Sequence, residues 1–306
     1  WGYNMNKFLV FDIGGSSVKH AVMTKNGEVI EKGSYKSERY DFDLFIKNML
    51  EISRKAKEEH DILGVAISAP GSVDSKEGVV GGSSALPCIH GPNFKEIFKK
   101  ELNLTLEIEN DANCAALGEV WLGGAKDNRD LAFVVCGTGI GGAIIKDRKI
   151  HKGTHLHGGE FGYMILESKR TKDGVEFKTW SDIGSTGGLQ RTIAERKGIS
   201  ADELDGKKIF ELAESGDEVC KEEIENFYFN IAKGIFNLQY IYDPEKILIG
   251  GAISSREDFI DKINENMDLL MNTMTHAQVR PVIDKCKFGN DANLLGALFH
   301  YLQSQA

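Results

Sequence analysis

The chain has 306 residues and a formal net charge of −9, with 41% hydrophobic and 27% charged residues. These values exclude a disordered or membrane-embedded chain, and the length allows two domains of ordinary size. The acidic balance argues against a nucleic-acid partner, because a general nucleic-acid binder carries a basic face. No apolar run approaches the roughly 20 residues that a bilayer span needs, so we expect no membrane partner.

The cysteines are scattered along the chain. They lie at positions 88, 114, 136, 220 and 286, and no two of them form a C-x-x-C pair. No secretory signal is recognisable near the start of the chain. The sequence therefore predicts a reduced, cytoplasmic setting.

The first predicted element is a buried strand that ends in an acid and a glycine turn. Residues 8–11 are four consecutive apolar residues, and Asp12 closes the run. The turn after it contains Gly14, Gly15 and Ser16. Such a turn can bind phosphate oxygens, because glycines leave the backbone N–H groups accessible. Asp12 stands where a Mg²⁺ ion accompanying the phosphate needs a carboxylate, directly or through water; an ordinary hairpin with an acidic edge is the alternative.

The next predicted elements are a helix, a strand and a second helix. The apolar spacing over 43–60 predicts an amphipathic helix, and 62–67 reads as a buried strand. A turn containing Gly71 follows that strand, and ligands of open α/β sheets commonly bind at such carboxyl ends. Glycines and prolines over 81–92 predict a loop without regular structure, and 94–102 resumes a helix.

A polar turn follows the alternating strand predicted over 104–109. Asn110 and Asp111 open it, and a helix of small residues begins near Cys114. An acid between a strand and a helix can serve only as an N-cap. The flanking asparagines make this turn unusually polar for a cap alone, which favours a catalytic or binding role.

The block 131–145 repeats the opening pattern of strand, glycine turn and strand. A dinucleotide-binding fingerprint has similar glycines, but it opens a helix, whereas residues 143–145 favour a strand. The sequence therefore predicts a second phosphate-sized turn. Its residues are Gly137, Thr138, Gly139 and Gly141.

A polar loop follows, with histidines close to a carboxylate. Its notable side chains are His155, His157, Glu160 and Tyr163. Such residues invite a metal interpretation, but no H-E-x-x-H spacing is present. A loop that contacts a hydroxylated ligand, or only solvent, is the favoured interpretation.

From Asp202 onward the chain is predicted to be largely helical. The later predicted elements are a helix around 209–212, a long helix over 219–242, a strand from Lys246 into the pair Gly250 and Gly251, a helix over 259–271, an extended stretch over 278–282 and a helix over 293–302. The apolar face of the long helix is typical of a core helix rather than of a cofactor site.

Taken together, three glycine turns after strands, with an Asn-Asp turn between the first two, resemble the sugar-kinase branch of the actin–hexokinase–heat-shock ATPase superfamily. Within that branch the chain resembles the repressor/ORF/kinase (ROK) family from Lys7 to Leu302. The matching segments are Asp12 to Lys19 for the first phosphate motif, 137–142 for the second, 109–113 for the catalytic turn and 249–252 for the adenosine-side turn.

The resemblance implies an α/β protein with the two-lobe actin/hexokinase-like (ribonuclease H-like) ATPase fold and a mixed sheet in each lobe. We expect an N-terminal lobe over 5–118, with a C-terminal helix over 292–303 packing back on it. The C-terminal lobe should cover 119–291. The family's habit is to form homodimers, so we expect a homodimer here.

The resemblance also implies an ATP-dependent sugar kinase that uses ATP and Mg²⁺, with the nucleotide in a cleft between the lobes. It gives Asp111 the role of catalytic base, which accepts the proton of the attacking sugar hydroxyl. The implied phosphate- and ATP-binding residues are Asp12, Gly14, Gly15, Ser16, Lys19, Gly137, Thr138, Gly139, Gly141, Gly250 and Gly251. The implied sugar-binding residues are Gly71, Asn110, Asp111, Glu160 and Tyr163.

The chain departs from many members of the family around a zinc loop. Tyr163 stands where they have a histidine, and residues 167–179 contain no cysteine. We therefore expect no structural zinc, since its thiolate ligands are missing. The family's further sugar-contacting glutamate aligns roughly with Ser181, next to Asp182, and the sequence assigns neither residue to that role.

Within the family the pattern is most similar to the zinc-less β-glucoside kinases. These phosphorylate the 6-hydroxyl of cellobiose, gentiobiose and aryl β-glucosides. An N-acetylmannosamine kinase or a glucokinase is the alternative. A sugar-responsive repressor of the same family is disfavoured, because the first phosphate motif begins a few residues after Met5 and leaves no room for a helix-turn-helix domain.

Overall fold

The structure is a computed structural model that describes residues 6–82, 84–289 and 291–306. These residues divide into two compact units. The first unit consists of the described residues up to Lys126, of Lys152–His157 and of 291–306. The second consists of Asp127–His151 and Gly158–Gly289.

The first unit is built on a five-stranded mixed sheet with the order β3-β2-β1-β4-β7. Its strands are β1 (Lys7–Ile13), β2 (Ser17–Thr24), β3 (Val29–Lys36), β4 (Gly64–Ala69) and β7 (Thr105–Asn110), and a small separate sheet pairs β5 (Ser72–Asp74) with β6 (Val79–Gly81). Its helices in this part of the chain are α1 (Phe42–His60), α2 (Phe94–Leu102) and α3 (Asp111–Leu122). The helices predicted over 43–60 and 94–102 are confirmed.

The position of β1 in this sheet determines where its polar end lies. β1 pairs antiparallel with β2 and parallel with β4, and β4 pairs parallel with β7. Asp12 is in register with Ser68, and Ser68 is in register with Glu109. Because parallel strands end at the same edge of a sheet, Asp12 lies at the same edge as the turn that follows β7.

The loop prediction for residues 81–92 is wrong in part. β6 ends at Gly81, and a short 3₁₀ helix forms over Pro87–Ile89. Gly78 and Gly82 have positive φ angles of 78° and 75°, which lets the chain reverse around β6. Gly78 ends the turn of the β5–β6 hairpin, and Gly82 directly follows β6.

The second unit contains a five-stranded sheet with the order β10-β9-β8-β13-β14. Its strands are β8 (Leu131–Cys136), β9 (Ile140–Lys146), β10 (Lys149–Ile150), β13 (Lys246–Gly250) and β14 (Ile283–Lys285), and a separate ribbon pairs β11 (Ile165–Arg170) with β12 (Val175–Thr179). Its helices are α4 (Trp180–Gly184), α5 (Thr186–Lys197), α6 (Gly206–Glu214), α7 (Glu218–Tyr242) and α8 (Phe259–Thr273). No helix of the described chain, α7 included, is both long and apolar enough to cross a membrane.

The two large sheets have the same topology. In each, an antiparallel three-stranded meander is extended by two parallel strands, and a glycine turn joins the first two strands. The strand predicted over 143–145 is confirmed, since these residues lie in β9. The turn before them therefore does not open a helix, as the dinucleotide fingerprint requires.

Two features of the second unit were not predicted: the position of β14 and the helices α4 and α5. The extended stretch placed over 278–282 contains no strand, and β14 begins after it at Ile283. Pro281 has no N–H group and cannot donate to the sheet, whereas the Val282 carbonyl accepts from the Ile247 N–H at 2.8 Å. Helices α4 and α5 were not predicted, because they are short or rich in glycine and form mainly through their caps and their packing.

The final helix, α9 (Ala292–Ser304), belongs to the first unit and packs closely on α3. A Cβ atom placed on Gly296 would lie 1.6 Å from the Cys114 carbonyl oxygen. One placed on Gly118 would lie 2.5 Å from the Ala292 carbonyl oxygen. Two glycines thus allow the two backbones to approach, and α3 is the helix that begins with Asp111.

Gly296→Ala is expected to lower the free energy of unfolding by about 1–3 kcal/mol or more, because backbone atoms of α3 must move to admit the methyl group. Urea denaturation followed by circular dichroism measures the change. Gly206→Ala is the matched control, since a Cβ atom at Gly206 meets nothing within 4 Å. Equal stability of the two variants would contradict the close helix contact.

The boundary between the two compact units lies later in the sequence than the predicted domain boundary. The boundary after residue 118 falls inside α3, which continues to Leu122, and the first unit extends to Lys126. Residues 152–157 also belong to this unit, although the prediction placed them in the other lobe. A long-range contact of Lys152, described below, accounts for that assignment.

Candidate active site

Asp111 is the first residue of α3 and is held there by two hydrogen bonds. The Ala112 N–H donates to Asp111 Oδ1 at 2.8 Å, and Asn110 Nδ2 donates to the same oxygen at 3.0 Å. Asn110 is itself the N-cap, since its Oδ1 accepts from the Asn113 N–H at 3.2 Å. Asp111 Oδ2 accepts no hydrogen bond from the described residues, so one oxygen of an oriented carboxylate is left to accept a proton.

The pKa of Asp111 is raised above the ordinary aspartate value. Burial is the main cause, and the negative charge of Asp12 adds to it. The hydrogen bonds from Ala112 and Asn110 oppose the shift but do not cancel it. A carboxylate with a raised pKa is a stronger base than an exposed one, as proton abstraction from an alcohol requires.

Asp12 lies near Asp111 at the same sheet edge, and it is 7% exposed. Ser68 Oγ and Asn293 Nδ2 each donate to Asp12 Oδ1 at 3.0 Å. Lys19 Nζ is 3.8 Å from Asp12 Oδ2. Both short contacts engage Oδ1, so Oδ2 faces only the more distant ammonium group and is suited to bind a hydrated cation.

The first glycine turn leaves backbone donors available. Gly14 N–H donates to the Ser17 carbonyl at 3.0 Å and closes the turn. Within the described part of the chain, the N–H groups of Gly15 and Ser16 have no acceptor. These two donors beside Asp12 can bind phosphate oxygens.

Gly71 lies directly beside the Asn-Asp turn in this unit. Its φ angle is 101°, and its carbonyl accepts from Asn110 Nδ2 at 3.0 Å. Both protons of the Asn110 amide are therefore used inside the protein. Asn110 can still contact a ligand through its carbonyl oxygen, which has a second lone pair.

In the second unit, the predicted phosphate turn is held by hydroxyl groups that the sequence analysis did not identify. Thr186 Oγ1 donates to the Gly137 carbonyl at 2.6 Å, and Ser185 Oγ donates to the Thr138 carbonyl at 3.1 Å. Ser185 is also the N-cap of α5. The turn is thereby fixed against a helix N-terminus, which favours anions. The run Ser-Thr-Gly-Gly was the available signal for that cap.

The third glycine turn lies beside this one. Gly250 ends β13 and is in register with Val135 of the neighbouring β8. Gly251 has a φ angle of 102°, and a Cβ atom there would lie 2.1 Å from the Cys136 carbonyl oxygen. Only glycine fits at that position, which brings the Gly250–Gly251 turn against the start of the Gly137 turn.

Glu160 immediately precedes a 3₁₀ helix over Phe161–Tyr163, and Tyr163 is the last residue of that helix. A Cβ atom on Gly162 would lie 2.2 Å from the Ile140 carbonyl oxygen, so this segment packs directly on the second phosphate turn. Glu160 is exposed, and Tyr163 is 76% exposed. Both side chains are therefore accessible to a ligand.

The structure also shows how Ser181 and Asp182 are used. Ser181 Oγ accepts from the Ile140 N–H at 2.9 Å. Asp182 accepts from the Thr179 N–H and hydroxyl at 2.8 and 2.7 Å in a capping box, and these bonds lower its pKa. Both side chains are therefore engaged in hydrogen bonds within the protein.

The polar loop does not form a three-residue metal cluster. Among the residues that the structure describes, one group of three side chains brings its ligand atoms within 4.8 Å of one another: Glu31, Glu59 and His60. Lys55 Nζ lies 4.0 Å from Glu31 and 3.7 Å from Glu59, and this ammonium group already balances their charge. Residues 167–179, which contain no cysteine, lie in the β11–β12 ribbon.

The predicted site residues fall into two groups, one in each unit. The group in the first unit contains Asp12, Gly14, Gly15, Ser16, Lys19, Gly71, Asn110 and Asp111. The group in the second unit contains Gly137, Thr138, Gly139, Gly141, Glu160, Tyr163, Gly250 and Gly251. Within each group the residues lie at one edge of the central sheet or on the segments packed against it.

Comparison with known proteins gives matches along almost the whole chain. The model of the ROK family matches residues 9–304. A β-glucoside kinase from Listeria monocytogenes is 35% identical over 305 residues, which cover 98% of this chain and 98% of that protein. A β-glucoside kinase from Klebsiella pneumoniae is 30% identical over 298 residues, which cover 97% and 96%.

The fold is also similar to that of solved structures. The crystal structure of a ROK family protein from Streptococcus pneumoniae, in complex with sucrose, superposes with a TM-score of 0.88. It is 36% identical in sequence, and the match covers 98% of this chain and 99% of that one. The expected two-lobe α/β ATPase fold is therefore confirmed.

Proposed function

This chain belongs to the ROK family and is an ATP-dependent sugar kinase, and from that premise we propose that it phosphorylates the 6-hydroxyl of a β-glucoside. Cellobiose, gentiobiose and aryl β-glucosides are the proposed acceptors. The observation that carries the reaction is the oriented Asp111 carboxylate, with one oxygen unbonded and a raised pKa.

In the proposed reaction Asp111 Oδ2 accepts the proton of the sugar hydroxyl. The hydroxyl oxygen forms a bond to the γ-phosphorus of ATP, the bond from that phosphorus to the bridging oxygen breaks, and ADP leaves. Asn110 and the Ala112 N–H keep the carboxylate oriented throughout. A positioned base of this kind contributes about 10²–10⁴-fold to the rate.

The remaining residues of the first unit bind and orient the substrates. Gly15 and Ser16 donate backbone N–H groups to phosphate oxygens, and Lys19 adds a positive charge. Asp12 fits a Mg²⁺ ion held through water, because its Oδ2 is free of short contacts. A Mg²⁺ ion held there would supply positive charge that offsets the negative charge of the phosphates.

In the second unit the glycine turns bind the nucleotide. Thr138 lies on a turn held against the N-terminus of α5, so its N–H and hydroxyl suit the transferring phosphoryl group. Gly250 and Gly251 provide a surface without side chains for the adenosine. Glu160 and Tyr163 bind sugar hydroxyls through their exposed side chains.

The β-glucoside specificity is supported by the relatives and by position 181. The segment that carries a sugar-contacting glutamate in zinc-bearing relatives here carries Ser181, whose hydroxyl is bonded to the Ile140 N–H. We propose that a serine in place of a glutamate in this segment allows the site to accept the second group of a β-glucoside, and that no structural zinc is present.

A substrate screen tests this proposal directly. With ATP and Mg²⁺, kcat/KM for cellobiose, gentiobiose and salicin is expected to exceed that for glucose and N-acetylmannosamine by at least about tenfold, a difference of about 1.4 kcal/mol in transition-state binding. ADP release in a coupled assay measures the rates. A preference for N-acetylmannosamine or glucose would identify the corresponding alternative kinase.

We also propose a cytoplasmic homodimer. ATP and imported sugars are available in the cytoplasm, and free cysteines suit a reducing compartment. Val175 and Phe177 on one face of the β11–β12 ribbon are 62% and 56% exposed, which provides apolar surface for a second copy. Sedimentation equilibrium measures the mass directly.

A further inference from the structure

Glu109, the last acid before the Asn-Asp turn, is the centre of a fully bonded buried network. It is 1% exposed. Its Oε1 accepts from the Asn110 N–H at 2.8 Å and from Asn113 Nδ2 at 2.9 Å. Its Oε2 accepts from Ser75 Oγ at 2.8 Å and lies 2.7 Å from Lys152 Nζ. One oxygen thus binds the start of α3, and the other binds Lys152 and Ser75.

Lys152 supplies the charge that this buried carboxylate needs. Its ammonium group also donates to the Val73 carbonyl at 3.1 Å and to Ser75 Oγ, so all three of its protons are used. The side chain of Lys152 is 19% exposed. Residues on both sides of the segment 152–157 belong to the second unit, so the contacts of Lys152 explain why this segment belongs to the first.

The network is connected to Asp111 through covalent neighbours and hydrogen bonds. Glu109 fixes the N–H of Asn110, and Asn110 fixes Asp111 Oδ1. The Lys152 bond to the Val73 carbonyl holds β5, which follows Gly71, and Gly71 accepts the other Asn110 amide proton. Any rotation of Glu109 would therefore displace the group that orients Asp111.

We propose that the Lys152–Glu109 pair is a positioning pair for Asp111. The proposal rests on the catalytic role proposed for Asp111. Lys152 balances the charge of Glu109 and holds its side chain in one rotamer, which fixes the Asn110 backbone and the first turn of α3. A buried carboxylate without its cation is poorly stabilised, and water drawn in to solvate it would alter its hydrogen bonds to Asn110 and Asn113.

The pair also affects the charge around the base. The ionisable groups around Asp111 and the pair are Asp12 on β1 with Lys19 on β2 beside it, Cys114 on α3, His300 on α9, and the Lys95–Glu107 pair. Burial lowers the pKa of His300 and raises that of Cys114, which favours the uncharged form of each. Without Lys152 the charge of Glu109 is unbalanced, and the pKa of Asp111 should rise further.

The test compares Lys152→Met with Lys152→Arg, with the double variant Lys152→Met/Glu109→Gln and with Lys95→Met. Lys95 is the matched control, because its ammonium group lies 2.8 Å from the carboxylate of Glu107. Glu107 lies on β7, two residues before Glu109. Lys152→Met is expected to lower kcat by about 10- to 100-fold, the loss that misplacing a catalytic group produces. KM for the sugar is expected to change by less than about threefold, since Lys152 contacts no substrate in the proposal.

The pH profile separates positioning from a general loss of structure. Activity falls at acidic pH as Asp111 takes up a proton, which gives the profile of kcat/KM against pH an acidic limb. In Lys152→Met this limb should move to higher pH, because an unpaired Glu109 carboxylate opposes ionisation of Asp111. Lys152→Arg and the double variant should return the limb toward its original position, the first by restoring the cation and the second by removing the anion. Lys95→Met should leave kcat and the limb unchanged.

Two outcomes overturn the inference. One is a Lys152→Met enzyme with unchanged kcat and an unchanged acidic limb. The other is a Lys95→Met enzyme with the same loss, which would indicate that any ion pair on β7 matters equally. If Lys152→Met fails to fold, the double variant Lys152→Met/Glu109→Gln still tests the proposal. An acidic limb of kcat/KM at higher pH in that variant than in the unmodified enzyme contradicts it. Full turnover by Asp111→Asn would instead refute the role proposed for Asp111.

Discussion

Replacing Asp111 with asparagine is expected to abolish measurable sugar phosphorylation, with a fall in kcat of about 10²–10⁴-fold or more. Asparagine has nearly the same shape, and its carbonyl oxygen can still accept from Asn110 Nδ2 and the Ala112 N–H. The amide cannot accept the proton of the sugar hydroxyl. A coupled assay for ADP release measures kcat, and isothermal titration calorimetry measures sugar binding.

Sugar affinity is expected to remain within a fewfold of the original, because the loss concerns the transition state rather than the bound sugar. Asp43→Asn is the control, since it removes one exposed carboxylate from α1 in the same unit. An Asp111→Asn enzyme with full turnover contradicts the role of base. One that neither binds sugar nor turns over would show that the carboxylate serves mainly in binding.

The local features of the site could be predicted from the sequence because each depends on neighbouring residues. A run of strand formers, an acid and a glycine pair place Asp12 at the end of β1. The strand and helix around Asp111 follow from an alternating pattern and a run of small residues. The repeated pattern around Gly139 similarly indicated the second sheet, which the structure shows with the same topology.

The partners of these residues could not be predicted, because they are distant in the sequence. Asn293 bonds to Asp12 across 281 positions, and Lys152 reaches Ser75 across 77 positions. No periodicity or motif relates such residues, and their proximity depends on how helices and loops pack. A polar residue in a loop, such as Lys152, has the same local signature whether it is solvated or buried against a carboxylate.

The helices at the second phosphate turn were missed for a different reason. Gly187 and Gly188 lower the helix propensity of the first turn of α5, and a sequence pattern counts this against a helix. In the structure these glycines allow close packing: a Cβ atom on Gly187 would lie 2.3 Å from the Thr138 carbonyl oxygen. Glycines that weaken a helix locally thus permit its contact with the turn that we propose to bind phosphate.

Asp12→Asn is expected to cause the second large loss, mainly through Mg²⁺. The asparagine carbonyl can still accept from Ser68 and Asn293, so the fold should be retained. The charge that attracts a hydrated cation is removed. The apparent affinity for Mg²⁺, taken from initial rates over a Mg²⁺ titration, should fall about 10- to 100-fold, as is typical when an outer-sphere partner of a metal is lost.

The pH dependence of the residual activity of Asp12→Asn provides a second, independent test. The charge of Asp12 raises the pKa of Asp111, so its removal should lower that pKa. Activity falls as Asp111 takes up a proton, and the acidic limb of kcat/KM should therefore move to lower pH, opposite to the shift expected for Lys152→Met. Asp43→Asn should change neither the Mg²⁺ titration nor the limb. A Mg²⁺ titration that is the same in Asp12→Asn as in the unmodified enzyme would exclude Asp12 from the metal site, whatever happens to kcat.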